Sequence, residues 1–482
     1  MTEKTCFVYT MKLKTNKVSD DALEHQFKMA QDVYKTTVLE ILKRAKKQRK
    51  DPLYKKAYKL PKGRERNSIL KELDDKYDLK GKFTFGKFAA DYRKARNYDK
   101  YIGNDVATKL GIRAWDAYSK VKFAKGASRV NINEPITSFE AKGNTNITIS
   151  NKKAKISTRQ NKLEIPIEYK DDRYETQVFE NKIKYCRIVR KKEFGKNAYY
   201  IQAIVDGIPP MESIDAPNEP VGIDIGTSTV ATSTVYQTEL RELAPGIDRQ
   251  DARIKRLRRK LDRQRRANNP ENYNSDGTIR RGRKQWHDSN NYLKTKNTIA
   301  EILRKQTEHR KIQHKTLANE ILKMGTHFIV EQMSFKGLQA RTKETKVSES
   351  TGRYQSKKRF GKTLLHRAPA LLISQIEYKA HYQGKLFTKA DTFSVKASQL
   401  DHTTGEYTKV GLNVRAKKID GQLVQRDLYS AFILQHVSLD GETVNLDACN
   451  ADFEYFLRNQ NTTMYELETR LSSTGRKIFE NE

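Results

Sequence analysis

Cysteine is scarce in this sequence: Cys6, Cys186 and Cys449 are the only three in 482 residues, they stand far apart, and no Cys-x-x-Cys pair occurs. That spacing excludes a disulfide framework and a zinc ribbon, and three ordinary buried thiols are expected. Long apolar runs are missing too. None reaches the roughly 18 to 20 residues that a membrane-spanning helix needs, and no signal peptide opens the chain, so a soluble cytoplasmic protein with no membrane partner is expected. Negative charge is also in short supply. Against 94 Lys and Arg stand 59 Asp and Glu, a formal charge of +35, which opposes compaction unless a polyanion neutralises it. Nucleic acid is the expected polyanion. What acid there is gathers late: from Val437 onward nine acidic residues face four basic ones, so this tail is not expected to touch nucleic acid.

At this length several domains are expected, of mixed α and β class. Residues 5–13, TCFVYTMKL, read as a strand. Ser19 to Asp21 then offer capping chemistry for a helix in which Leu23, Phe27, Ala30, Tyr34, Val38 and Ile41 recur at spacings of three and four. More helix is expected to about residue 125, including Asn104 to Lys122, which gives a basic helical region inserted after the first strand. From 128 to 210 the apolar period becomes two, as at Leu163, Ile165, Ile167 and Tyr169, with a hairpin turning near Gly195. The stretch DGIPP at Asp206 to Pro210 has linker punctuation, and a new domain is expected near Val221. Tyr54, Tyr58 and Trp115 lie near basic residues and suit base stacking, although core packing is the plainer role for each.

The stretch VGIDIGTSTVATS, Val221 to Ser233, reads as two strands joined by a polar turn, with Asp224 alone among apolar residues. A buried acid is costly unless paired or bound to metal. Two enzyme classes use such an opening. Actin-like ATPases grip phosphate and magnesium with an Asp-x-Gly-Thr turn, and ribonuclease-H-like nucleases hold catalytic metal with an Asp on the first strand. The ATPase reading needs a second Asp-x-Gly-Gly turn and a late glycine-rich loop, and neither occurs: beyond residue 361 the glycines are single and scattered. The nuclease reading needs a second acid at another strand end and a third at a helix start. Glu331, closing the apolar run FIV, and Asp427, opening the helical LYSAFILQ, suit those places. Each has a plain alternative, Asp427 as a charge complementing the helix dipole and Glu331 turned to solvent. Together they suit two magnesium ions about 4 Å apart, which need several carboxylate oxygens to bridge and hold them. Three converging carboxylates without metal repel one another, so at least one pKa is expected to rise.

Between the first two acids runs a helix with Ile254, Leu257 and Leu261 on one side and Arg256, Arg259, Arg263 and Arg266 on the other. Its arginines outnumber its acids so far that internal pairing cannot neutralise them, and they suit a phosphate backbone better than a merely solvated face.

The order GIDIGTSTVAT, arginine-rich helix, FIVEQMSFKGL and QRDLYSAFIL resembles the split RuvC nuclease motifs of transposon-encoded TnpB proteins and of compact type V CRISPR effectors. That resemblance implies a multidomain α+β fold. Residues 1–15 would be the first strand of a β-barrel-like wedge domain that continues over 126–215, and 16–125 a helical recognition domain. A ribonuclease-H-like RuvC α/β domain with its bridging helix would span 216–390, and its last motif with the acidic tail 427–482. It further implies that Asp224, Glu331 and Asp427 form the metal-binding catalytic triad with two Mg2+ ions. The partners implied are a guide RNA and a double-stranded DNA target opened beside a short flanking motif, in a prokaryotic cytoplasm with nucleoid association when bound. One departure stands out: members commonly carry a four-cysteine zinc ribbon between the second and third motifs, whereas 391–426 holds no cysteine, so no zinc is expected, and His402 alone cannot replace it. The function expected is RNA-guided DNA cleavage; a guided DNA-binding repressor that does not cut, and an unguided RuvC-like nuclease, stay open.

Overall fold

The computed structural model describes residues 5–474 except 124–126, 142, 171, 349–351, 353, 355–359, 410 and 412–413, with side chains to 469. Expectations for residues 1–4, for 124–125 and for the end of the acidic tail at 475–482 lie outside the described residues. The chain is a mixed α+β protein that divides into two compact units, Met1–Pro210 and Met211–Glu482, at the proline-rich DGIPP stretch. Among the described residues no helix is long and apolar enough to cross a membrane.

The first unit opens with β1 (Cys6–Lys12), followed by the helices α1 (Lys17–Lys50), α2 (Pro52–Lys59), α3 (Arg64–Lys76), α4 (Lys82–Ala95) and α5 (Asn104–Lys122). Helix α1 starts earlier than its Ser19 to Asp21 stretch suggests. Asn16 is the cap, with its side chain accepting from the Ser19 amide at 2.9 Å while Ser19 Oγ accepts from the Asn16 amide at 2.8 Å, so Ser19 serves as the return half of a reciprocal cap. The apolar stripe from Leu23 to Ile41 is buried throughout. Next come β2 (Ser138–Glu140), β3 (Ile147–Ser150), β4 (Lys153–Ser157), β5 (Lys162–Pro166), α6 (Arg173–Glu180), β6 (Ile183–Glu193) and β7 (Lys196–Asp206).

Strand β1 pairs with β7 along its whole length, so the five helices are an insertion between a sheet's edge strand and the rest of that sheet. The strands form two antiparallel sheets, β1-β7-β6-β2 and β3-β4-β5, bridged at Leu13 and Ile167. Helices and sheets share one buried cluster. Trp115 belongs to it, stacked on Phe85 at 5.4 Å, which removes its face from any base. Tyr54 packs on Tyr58 at 4.7 Å, and Tyr58 is exposed beneath Arg66. Cys186 and Cys449 are buried as expected, but Cys6 is exposed, because it stands on an outward position of an edge strand.

The second unit contains β8 (Pro220–Ile225), β9 (Thr229–Ser233), β10 (Thr238–Glu242), α7 (Asp251–Asn268), α8 (Asn290–Leu322), β11 (His327–Glu331), α9 (Phe335–Leu338), α10 (Gly361–Arg367), α11 (Pro369–Tyr382), β12 (Leu386–Ala390), β13 (Ala416–Ile419), β14 (Gln422–Gln425), α12 (Arg426–Gln435) and α13 (Leu446–Thr474). Five of its strands make a mixed sheet in the order β10-β9-β8-β11-β12. Strand β11 runs parallel to both β8 and β12, and β8, β9 and β10 form an antiparallel meander. Strand alternation sorts the side chains onto two faces. Val221, Ile223, Ile225, Phe328 and Val330 share a cluster with Ile321 and Leu322 of α8 and with Leu372 and Ile376 of α11. On the other face Ala231, Leu240, Ile329 and Ala390 share one with α12 and α13.

Helix α12 is buried on all sides from Leu428 to Gln435, where the sequence suggests only one inner face. Two further segments account for this. Val395, Ala397, Leu400, Ile419 and Val424, from the cysteine-free 391–426 region, join the α12 cluster, and the late acidic stretch becomes α13, whose Cys449, Phe453 and Phe456 close it. His402 is fully enclosed there. The Tyr429 hydroxyl accepts from the His402 amide at 3.2 Å and stands 2.7 Å from Nδ1.

Gly222, on the α12 side of β8, fixes how closely the helix lies on the sheet. A Cβ at this position would stand far inside contact distance of the Ala431 carbonyl oxygen and the Gln435 amide nitrogen, neither of which can rotate away. Gly222→Ala is expected to destabilise the second unit by about 3 kcal/mol and to lower its thermal transition in calorimetry, with no shift in a transition assigned to the first unit by limited proteolysis.

Candidate active site

The mixed sheet explains how distant acids meet. Parallel pairing aligns Ile223 of β8 with Val330 of β11, and one step further along each strand are Asp224 and Glu331. By alternation both acids face the α12 side, since their neighbours Ile223, Ile225 and Val330 face the opposite cluster. From the Gly222 contact with Ala431, two residues along β8 reach Asp224, about 6.6 Å. Four residues back along α12, about 6 Å, reach Asp427 in its first turn. Strand and helix therefore run in opposite directions from a common contact and carry their acids to the same end.

Electrostatics register the meeting. Burial first, then the charges of Asp427 and Glu331, push the Asp224 carboxyl well above the usual carboxylate range, against the nearby Arg426 guanidinium, which lowers it. Asp224 nevertheless keeps some accessible surface. Burial also raises Glu331. Asp427 is differently placed because arginines hold both its oxygens: Arg426 Nη2 donates to Oδ1 at 3.2 Å, and Arg415 Nη1 lies 3.6 Å from Oδ2. The first turn of α12 is held by Gln425, whose side chain accepts the Leu428 amide at 2.6 Å while its own amide donates to Gln460 of α13 at 2.7 Å.

Among the described residues no group of three or more His, Cys, Asp or Glu side chains is gathered closely enough to hold a metal ion as it stands. By chemistry the donor set fits a hard divalent cation: all three groups are carboxylates, and their mutual repulsion is what such a cation relieves. Of the three, Asp427 is the one that arginines engage.

Sequence reasoning passed over Gly222, Arg415 and Arg426. A glycine inside a strand does signal close backbone approach, and Arg426 adjoins the acid it pairs with, whereas nothing local marks Arg415. Of the arginine-rich helix, Ile254 is buried and Leu257 and Leu261 are half-buried, while Arg256, Arg259 and Arg263 are exposed. Arg266, also exposed, pairs with Asp262 at 3.0 Å and covers the Tyr273 ring. Arg265, outside the expected rail, stacks on Trp286 at 3.8 Å. Arg256, Arg259 and Arg263 make no hydrogen bond or ion pair among the described residues and span about 10 Å of helix.

No protein-family model matches the chain, and no curated protein matches its sequence. The solved structures that the chain matches include the following three. One is a Cas12f1-sgRNA-target DNA complex, at 12% identity over 92% of this chain and 100% of that chain, with a TM-score of 0.46. The second is a CRISPR-Cas12f ternary complex, at 12% identity over 87% and 81%, with a TM-score of 0.28. The third is the mini-RNA-guided endonuclease CRISPR-Cas_phi3, at 10% identity over 62% and 57%, with a TM-score of 0.31. Likenesses this distant assign no residue a role.

Two outcomes follow from the site. Because folding raises the Asp224 pKa, the folded chain retains a proton that the unfolded chain releases, so stability falls as pH rises above the ordinary carboxylate range. In EDTA at neutral pH, Asp224→Asn is expected to raise the thermal midpoint. The gain should shrink as pH falls towards about 4, and Mg2+ should raise the midpoint of the wild type but not of the variant. Replacing Arg256, Arg259 and Arg263 together with Gln should weaken nucleic-acid binding and flatten the dependence of log Kd on log salt by about three, with the thermal midpoint unchanged.

Proposed function

We propose that the chain is an RNA-guided DNA endonuclease that hydrolyses phosphodiester bonds at one site, with Asp224, Glu331 and Asp427 as its metal-binding catalytic residues. The observation that carries this reading is the Asp224 carboxyl on the shared strand edge, raised by burial and then by the charges of two acids that are remote in sequence. Guidance by RNA is supported by the motif order GIDIGTSTVAT, FIVEQMSFKGL and QRDLYSAFIL and by the +35 charge. In this reading residues 16–125 are the recognition domain and 1–15 with 126–215 the wedge. The RuvC domain spans 216–390 and 427–482, and 391–426 takes the place of the zinc ribbon.

Asp224, Glu331 and Asp427 would hold Mg2+, which would supply activation of water and stabilisation of the departing 3′ oxygen. The chain's own part is to hold the acids. Asp224 and Glu331 are kept side by side by strand register, Asp427 is presented by the capped first turn of α12, and Arg415 and Arg426 offset the charge of Asp427. Arg256, Arg259 and Arg263 contact phosphates of the guide or heteroduplex without reading bases, and sequence is read by pairing with the guide.

A second reading, a guided DNA-binding repressor that does not cut, is favoured by the arginine pairs that occupy Asp427. Purification with any copurifying RNA, sequencing of that RNA, and incubation with matching double-stranded DNA separate the two. The nuclease reading expects cleavage that EDTA abolishes and that Asp224→Ala lowers by a factor on the order of 10³ or more, while guided binding persists. Guided binding with no cutting under any divalent cation leaves the repressor, and cutting by RNA-free protein leaves an unguided nuclease.

A further inference from the structure

An aromatic side chain stands in solvent beside the carboxyl edge of the sheet. Glu331 aligns with Ala390 of β12, and three residues beyond Ala390 is Phe393, which is 84% exposed. Its backbone is firmly held. The Asp391 carboxylate accepts the amides of Phe393 at 3.1 Å and Ser394 at 2.9 Å, and Thr392 Oγ1 donates at 2.7 Å to the carbonyl of Gln332, the residue after Glu331. The Gln332 amide in turn donates to Ala390 at 2.9 Å, and the Asp391 amide to Gly441 at 2.8 Å. A braced turn therefore ties Phe393 to the strand that ends in Glu331, and an apolar ring held in water at a fixed place gains nothing for folding.

A second ring stands close by in the same segment. Tyr407 is 48% exposed, and its hydroxyl donates to the carbonyl of Ser394, next to Phe393, at 3.3 Å. Lys396 lies over the Tyr407 ring at 5.2 Å, and both it and Lys409 are exposed without an ion pair among the described residues. Aromatic faces interleaved with unpaired cations are what single-stranded nucleic acid needs, stacking for bases and charge for phosphates. A duplex keeps its bases stacked on one another and cannot use the rings.

We infer that Phe393 and Tyr407 form a base-stacking platform that receives single-stranded DNA beside the candidate active site, with Lys396 and Lys409 holding its phosphates. This rests on the nuclease reading for its role in cleavage, but not for binding itself. The platform sets where along the strand the scissile phosphate comes to rest, so Phe393 is a positioning residue rather than a catalytic one.

The test is a titration of the full-length protein, with EDTA present, against a short single-stranded DNA carrying 2-aminopurine. Stacking on the platform quenches the probe. Phe393→Ala should weaken binding about tenfold and lose most of the quench. Phe393→Trp should restore both, and binding of the same sequence as a duplex should be unchanged by either substitution. Wild-type affinity and quench in Phe393→Ala, failure of Trp to restore them, or an equal loss for duplex would each overturn the platform. Cleavage with Mg2+ is scored separately: a platform that passes in a protein that never cuts sinks the nuclease reading alone, and a cutting enzyme indifferent to Phe393→Ala in this titration sinks the platform alone.

Discussion

The close approach of α12 to β8 at Gly222 is the contact on which the second unit depends. A helix normally stands off a sheet by the thickness of its side chains, and here a residue without one lets the Ala431 carbonyl and Gln435 amide come down onto the strand. The consequence is carried to the end of both elements. With spacing and direction set at one point, the regular rise of strand and helix brings Asp224 and Asp427 to a common edge, and the parallel register of β11 adds Glu331. Placing the three acids requires no loop of adjustable conformation, only three regular elements locked at one contact.

Bringing acids together this way costs stability, and the structure shows where the cost is met. Asp224 takes the burden as a raised pKa. Asp427 is relieved by two guanidinium groups, one from its own helix and one from the segment just before β13. Excess positive charge also stands on α7, where Arg256, Arg259 and Arg263 are exposed and make no ion pair among the described residues.

Residues 391–426 contribute directly to the core around α12. Their apolar side chains insert beside α12, and His402 meets the Tyr429 hydroxyl through Nδ1 within a cluster of aromatic rings, while its Nε2 has no hydrogen-bond partner among the described residues. Helix α13 then covers the far side. Its acidic composition is the solvated face of a helix whose inner face is apolar, which is why net charge alone made it look like a tail.

Much of this was legible in the sequence because it is local. Short apolar runs marked β8 and β11, a period of two marked the strands of 128–210, spacings of three and four marked α1, α5 and α7, and the acids at the ends of apolar runs stood out as candidates. Composition determined by itself that the surface is strongly basic and that no cysteine cluster exists. Only the tertiary structure decided that α12 is buried all round, that α13 closes its core, that Trp115 is packed away while Phe393 is held in solvent, and that Arg415 reaches Asp427. Those outcomes are set by contacts between segments far apart in the chain, and a periodicity reports which face of an element is apolar without naming what that face will meet.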